Sequence, residues 1–160
     1  MTPARSPARP ADVLAFLRDG HIPVWEHAYR PVELFLFSAA TWNPHRVHYD
    51  QDYTRAVAGH PDLLVQGPLQ AAHMFRLLVD ALADGVKIRA LEYRHLSVLH
   101  VAEPVQISGR LTAAGPMAAS AQMWMVTRDS DRRTTTGVAY LELTAPEAVG
   151  ASAPVPGGPR

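Results

Sequence analysis

The sequence predicts an α+β domain in which a curved antiparallel sheet wraps around one central helix. Three observations carry that prediction. Leu69–Asp84 (LQAAHMFRLLVDALAD) is apolar around nearly its whole circumference, as expected of a helix buried in the middle of something. Beyond it, the chain from Lys87 to Thr144 reads as strand after strand, with stretches of period-two alternation. The composition, 48% apolar and 19% charged over 160 residues, suits a single domain with one sizeable core.

Taken in order, Met1–Pro10 and Pro146–Arg160 are rich in Pro, Ala, Arg and Gly and are expected to be unstructured, leaving a domain over residues 11–145. Ala11–Asp19 (ADVLAFLRD) has the spacing of a short amphipathic helix closed by Gly20. Val32–Phe37 (VELFLF) has strand composition, and Ser38–His48 reads as irregular. Asp50–Ala58 predicts a helical turn with Asp50 as its N-cap, followed by a Gly59–Asp62 loop. Gly67 precedes the central helix and Pro68 falls in its first turn, where a missing N–H costs nothing. Gln70, His73, Arg76 and Asp80 form one narrow polar stripe along it. Strands are then expected over Lys87–Leu99, from Pro104 through Thr112, over Ala118–Thr127 and over Thr134–Thr144, with Asp129–Arg132 as a hairpin turn. A strand, a buried helix and about four antiparallel strands make the hot-dog architecture.

Composition also excludes chemistry. There is no cysteine, so disulfides, thiolate nucleophiles and Cys-ligated metals are ruled out. Lys+Arg and Asp+Glu both count 15, and zero net charge argues against a nucleic-acid or membrane-surface partner, which needs a basic excess. No stretch has the apolar length of a membrane span or the pattern of a secretory leader, so a cytoplasmic location is the expectation.

Two segments concentrate the polar chemistry. Phe37–Asp50 (FSAATWNPHRVHYD) brings Asn43, His45, Arg46, His48 and Asp50 within eight residues. Leu63–Leu69 (LLVQGPL) delivers Gly67 to the start of the buried helix, where free amides and the positive end of the helix dipole can hold an oxygen gaining negative charge. Together these residues resemble the MaoC-like hot-dog hydratases and dehydratases. The likeness is greatest to the branch holding itaconyl-CoA and mesaconyl-CoA hydratases and the fungal mitochondrial 3-hydroxyacyl-thioester dehydratases. The residues that carry it are Ser38, Ala39, Thr41, Trp42, Asn43, His45, Arg46, Val47, His48, Tyr49, Asp50, Tyr53, Val65, Gly67, Pro68 and Leu69.

The resemblance implies reversible addition of water across the α,β-double bond of an acyl thioester carried by CoA or acyl carrier protein, with no cofactor and no metal. It implies His48 as acid–base group, Asn43 as the residue orienting the water or hydroxyl, and the Gly67 N–H as donor to the enolate oxygen. Thr41, His45, Arg46, Asp50, Gln66 and Leu69 are expected to support or bind substrate. One departure stands out: Thr41 occupies the position where the wider superfamily carries a catalytic Asp, and the His comes two residues later than usual. Other readings remain. His45-x-x-His48 with Asp50 is a weak metal pattern, lacking a third distant ligand. The chain could be a non-catalytic subunit that completes a partner's substrate tunnel, or a thioesterase. A single hot dog leaves a sheet edge open, so a homodimer or a heterodimer with a similar subunit is expected. His73, His95 and His100 are expected to be packing, interface or edge residues, and Met117, Met123, Trp124 and Met125 core or tunnel lining.

Overall fold

A computed structural model describes residues 21–82, 86–114 and 118–143. The expected Ala11–Asp19 helix, both termini and Met117 lie outside the described residues. Five strands form one antiparallel sheet in the order β1-β3-β4-β5-β2: β1 His21–His27, β2 Val86–His95, β3 Val105–Ala114, β4 Ala118–Thr127 and β5 Arg133–Leu143. Among the described residues three α-helices accompany it: α1 Pro31–Thr41, α2 Gln51–Ala56 and α3 Gly67–Ala81. The hot-dog architecture expected from the sequence is therefore present, with α3 as its central helix.

The core lies between α3 and the concave face of the sheet. Period two decides which strand residues face it. Along β4, Ala119, Ala121, Met123 and Met125 are buried, and along β3 Val105 and Ile107. Helical spacing presents Leu69, Met74, Leu77 and Leu78 to them. Gly137 lets the helix sit low, since a Cβ there would lie 3.2 Å from the Met74 methyl and 2.7 Å from the Glu92 carbonyl. Leu78 has no exposed surface, and truncating a side chain so enclosed typically costs about 2–5 kcal/mol.

The structure corrects three expectations. Val32–Phe37 is not a strand. It lies inside α1, which runs on through Thr41, so much of the segment read as irregular is helical. Pro31 opens the helix with φ already set, and the Glu33 carboxylate accepts the Arg30 N–H at 2.8 Å. After Val32 no β-branched residue opposes the helix until Thr41. The strand preceding the helices is instead β1, over HIPVWEH, where Pro23 and a register shift between Ile22 and Trp25 disguise the alternation. Third, α3 is not enclosed on all sides. Gln70 from the polar stripe is buried and His73 half-buried, while apolar Phe75 and Val79 are exposed.

At the end of β1 and just beyond it, Trp25, His27 and Tyr29 pack with His73 of α3. The Tyr29 and His73 rings stack at 5.2 Å, their Oη and Nδ1 are 2.9 Å apart, and the His27 ring lies 4.9 Å from that of His73.

Candidate active site

Backbone hydrogen bonds stitch three distant segments into one wall. Leu64 N–H donates to Val47 O at 2.9 Å, Val65 N–H to Leu99 O at 2.8 Å, and Val101 N–H to Leu63 O at 2.9 Å. The polar loop, the turn before α3 and the stretch after β2 are thereby fixed to one another. Between them lies a groove of about 360 Å³ lined by His48, Leu64, Val65, Gly67, Gln70, His95 and Leu96–Leu99. His48 and Gly67, 19 positions apart in sequence, thus face the same space.

A backbone carbonyl, not a side chain, anchors the His48 ring. His48 sits at the end of a single 3-10 turn, Arg46–His48, and its Nδ1 donates to Leu64 O at 2.7 Å. A carbonyl can only accept, so Nδ1 carries the proton and Nε2 keeps a free lone pair. Partial burial pushes the imidazole below its ordinary pKa, and nearby His45 adds to this against the opposing Leu64 hydrogen bond. His48 is therefore neutral, a base, at neutral pH. Gly67 is the first residue of α3, and the first N–H groups of a helix have no acceptor within it. The groove wall there thus offers an unclaimed donor at the positive end of the helix.

The other residues singled out by sequence are placed as follows. Asn43 uses its side-chain oxygen to accept the His45 N–H at 3.1 Å, fixing the turn. It lines a different hollow of about 370 Å³ with Phe35, Ser38, Ala39, Trp42, Pro44 and Tyr49, and not the groove of His48. Thr41 is exposed and donates to Phe37 O within its own helix. Arg46 and Asp50 pair with each other at 2.7 Å, and the Arg46 guanidinium lies 4.1 Å over the Tyr53 ring. Asp50 caps α2, as the sequence suggests, by accepting the Tyr53 N–H at 2.9 Å. That N–H and then the Arg46 guanidinium hold its carboxyl below the usual range. The His45 ring lies 5.6 Å from that of His48. Gln66 is buried and clamps α1, donating to Leu34 O at 2.7 Å and Ser38 Oγ at 2.9 Å. Leu69 belongs to the core. None of the residues lining the groove is a carboxylate. Among the described residues, no group of three His, Asp or Glu side chains is placed to hold a metal ion.

One groove residue was missed by sequence reasoning. His95, at the end of β2, lines the groove opposite Gly67, where an added Cβ would lie 2.2 Å from its Nε2. The contact joins positions 28 apart, and nothing local signals it.

This architecture, a curved antiparallel sheet around a central helix, is the hot-dog fold. It superposes on the (R)-hydratase PhaJ1 of Pseudomonas aeruginosa with a TM-score of 0.71 at 14% identity, over 77% of this chain and 79% of that one. On the ChsH1–ChsH2 complex of Mycobacterium tuberculosis the TM-score is 0.69 at 19% identity, over 77% of this chain and 94% of that one. The chain belongs to the hydroxyacyl-thioester dehydratase type 2 family, whose model matches residues 10–101. It is 27% identical over 104 residues to the mitochondrial hydroxyacyl-thioester dehydratase type 2 of Saccharomyces cerevisiae, covering 60% of this chain and 36% of the yeast protein. It is 49% identical over 47 residues to the mesaconyl-C(4)-CoA hydratase of Chloroflexus aurantiacus, covering 29% of this chain and 17% of that enzyme. The match thus covers 36% of the length of the first of these relatives and 17% of the second. Among the described residues, no helix is long and apolar enough to cross a membrane.

Proposed function

We propose that the chain is a hydro-lyase that adds water to, or removes it from, enoyl and 3-hydroxyacyl thioesters of CoA or acyl carrier protein. The observation that carries this reading is the shared groove: a neutral imidazole with its Nε2 free, across from the first amide of a buried helix. The relatives' own names, a hydroxyacyl-thioester dehydratase and a mesaconyl-CoA hydratase, support it.

In the dehydration direction His48 Nε2 takes the α-proton. The electrons of that C–H bond move toward the thioester carbonyl, whose oxygen gains charge against the Gly67 N–H. A preorganised donor at such an oxygen is worth about 3–4 kcal/mol. As the double bond forms, the protonated His48 returns its proton to the leaving hydroxyl, and water departs. Hydration runs the same steps backwards. The apolar wall of Leu64, Val65, Leu96, Val98 and Leu99 takes the acyl chain. Asn43 acts on the loop that carries His48 and not on the substrate, because its oxygen is engaged with the His45 N–H.

The open edge of β2 supports assembly with a second hot-dog unit, another copy or a similar subunit, since an unpaired strand seeks a partner. A relative in fold, the ChsH1–ChsH2 complex, is named as a two-component assembly.

The test is turnover of crotonyl- and 3-hydroxybutyryl-thioesters on both carriers, followed by absorbance of the enoyl thioester. The unaltered protein is expected to interconvert them and His48→Ala to lose that activity. Release of free thiol would point to a thioesterase, and no turnover to a non-catalytic subunit.

A further inference from the structure

A chain of hydrogen bonds fixes which nitrogen of His95 carries its proton. The Val65 carbonyl only accepts, so the Gln70 amide turns its NH₂ toward it, at 3.4 Å. Gln70 Oε1 then accepts the Thr135 hydroxyl at 2.7 Å. That hydroxyl has a single proton, now committed, so toward His95 Nδ1, 3.0 Å away, it is an acceptor. His95 Nδ1 is therefore the protonated nitrogen and Nε2 is bare, beside Gly67 in the groove wall. Gln70 and Thr135 are both buried, which keeps water from breaking the sequence.

The groove thus presents two imidazoles, His48 and His95, each tied to the protein through Nδ1 and each with a lone pair on Nε2. A water molecule has two O–H bonds to donate. If both are accepted, an oxygen lone pair remains for an electrophilic carbon. The resemblance implies Asn43 for the water-orienting role, but Asn43 lines a different hollow with its oxygen accepting the His45 N–H, and Thr41 is turned into its own helix.

We propose that His95 is a second catalytic histidine, whose Nε2 accepts one O–H of the water that adds to the β-carbon while His48 accepts the other. The proposal rests on the hydratase reading of the groove. In hydration the water oxygen bonds to the β-carbon and the proton facing His48 passes to His48 Nε2. The π electrons move toward the carbonyl oxygen at Gly67. His48 then gives its proton to the α-carbon, and the chain regains its starting state. His95 gains and loses no proton; its acceptor aims the oxygen and remains bonded to the product hydroxyl.

Two measurements on the whole chain test this. Long-range ¹H–¹⁵N spectra of histidine-labelled protein are expected to show a bare Nε2 on His95, as on His48; a protonated Nε2 on His95 overturns the proposal whatever the activity. His95→Ala is expected to lower hydration kcat about 10²-fold, the low end for a positioned acid–base group, with KM little changed and thermal unfolding close to that of the unaltered protein. His95→Gln, whose carbonyl oxygen can accept from water, should retain more of the rate and covers the case in which the alanine variant fails to fold. Full turnover in both His95 variants beside an inactive His48→Ala overturns the proposal and spares the site. No turnover by the unaltered protein removes the site reading, and the proposal with it.

Discussion

His48 and His95 each anchor one ring nitrogen to the protein, and both line one groove. The paired imidazoles of His27 and His73 are built differently. His27 stacks on Trp25 and His73 on Tyr29, the two imidazoles meet edge to face, and Glu33 lies 3.4 Å from His27 Nε2. Burial, and then the neighbouring His27, pushes His73 down to about 4, so it stays neutral inside the packed cluster. His48 stands inside a conspicuous motif, whereas nothing local in the sequence separates His95 from His27 and His73. What sets the groove pair apart from the packed pair is a position on the lining of a groove, and that groove is bounded by segments from elsewhere in the chain.

Breaking the groove pair should have the largest effect. His48→Ala is expected to reduce turnover about 10²–10⁴-fold, measured as kcat for hydration of a short enoyl thioester, with unfolding little affected. Gly67→Ala comes next. The new methyl meets His95 Nε2, and the ring must leave Thr135 to make room. A displacement of about 1 Å at such a site costs about 10²-fold. In a double variant with His95→Ala that cost should shrink, because the two residues act on one another. Additive losses would show that Gly67 and His95 work independently.

The packed pair should respond in stability and not in rate. As pH falls through about 6.5, an unfolded His73 takes up a proton that the folded one refuses until about 4. The unfolded state then binds more protons, so stability declines across that window and is fully present above it. Unfolding free energy against pH should therefore slope less in His73→Gln, which keeps a hydrogen-bonding partner for Tyr29; an unchanged slope would assign the effect to other groups. The smallest effect concerns the loop. Asp50→Ala removes the cap of α2 and is expected to cost about 1 kcal/mol in denaturant unfolding.

The legibility of the sequence divides along the same line. Elements whose pattern is local were readable: α3 from its apolar run behind Gly67–Pro68, β3 and β4 from alternation, the α2 cap from Asp50. VELFLF misleads because Phe and Val suit strands, while the deciding signals, Pro31 and the Arg30–Glu33 contact, sit at its margin. In β1 a proline and a bulge interrupt the alternation. The site divides likewise. The motif around Asn43–Asp50 is conspicuous, yet most of its polar groups serve one another. His95 has no motif around it and acquires a role only where the end of β2 meets the first residue of α3.

That meeting point has a consequence for diversification. Position 67 is closed to every amino acid with a side chain for as long as His95 keeps its place, so from the helix side the groove can be reshaped only at Gln70. Leu96, Val98 and Leu99, on the stretch that follows β2, form the wall across which size and shape are free to vary. A library aimed at a new acyl group should be spent there, and homologues that accept different acids should differ there first.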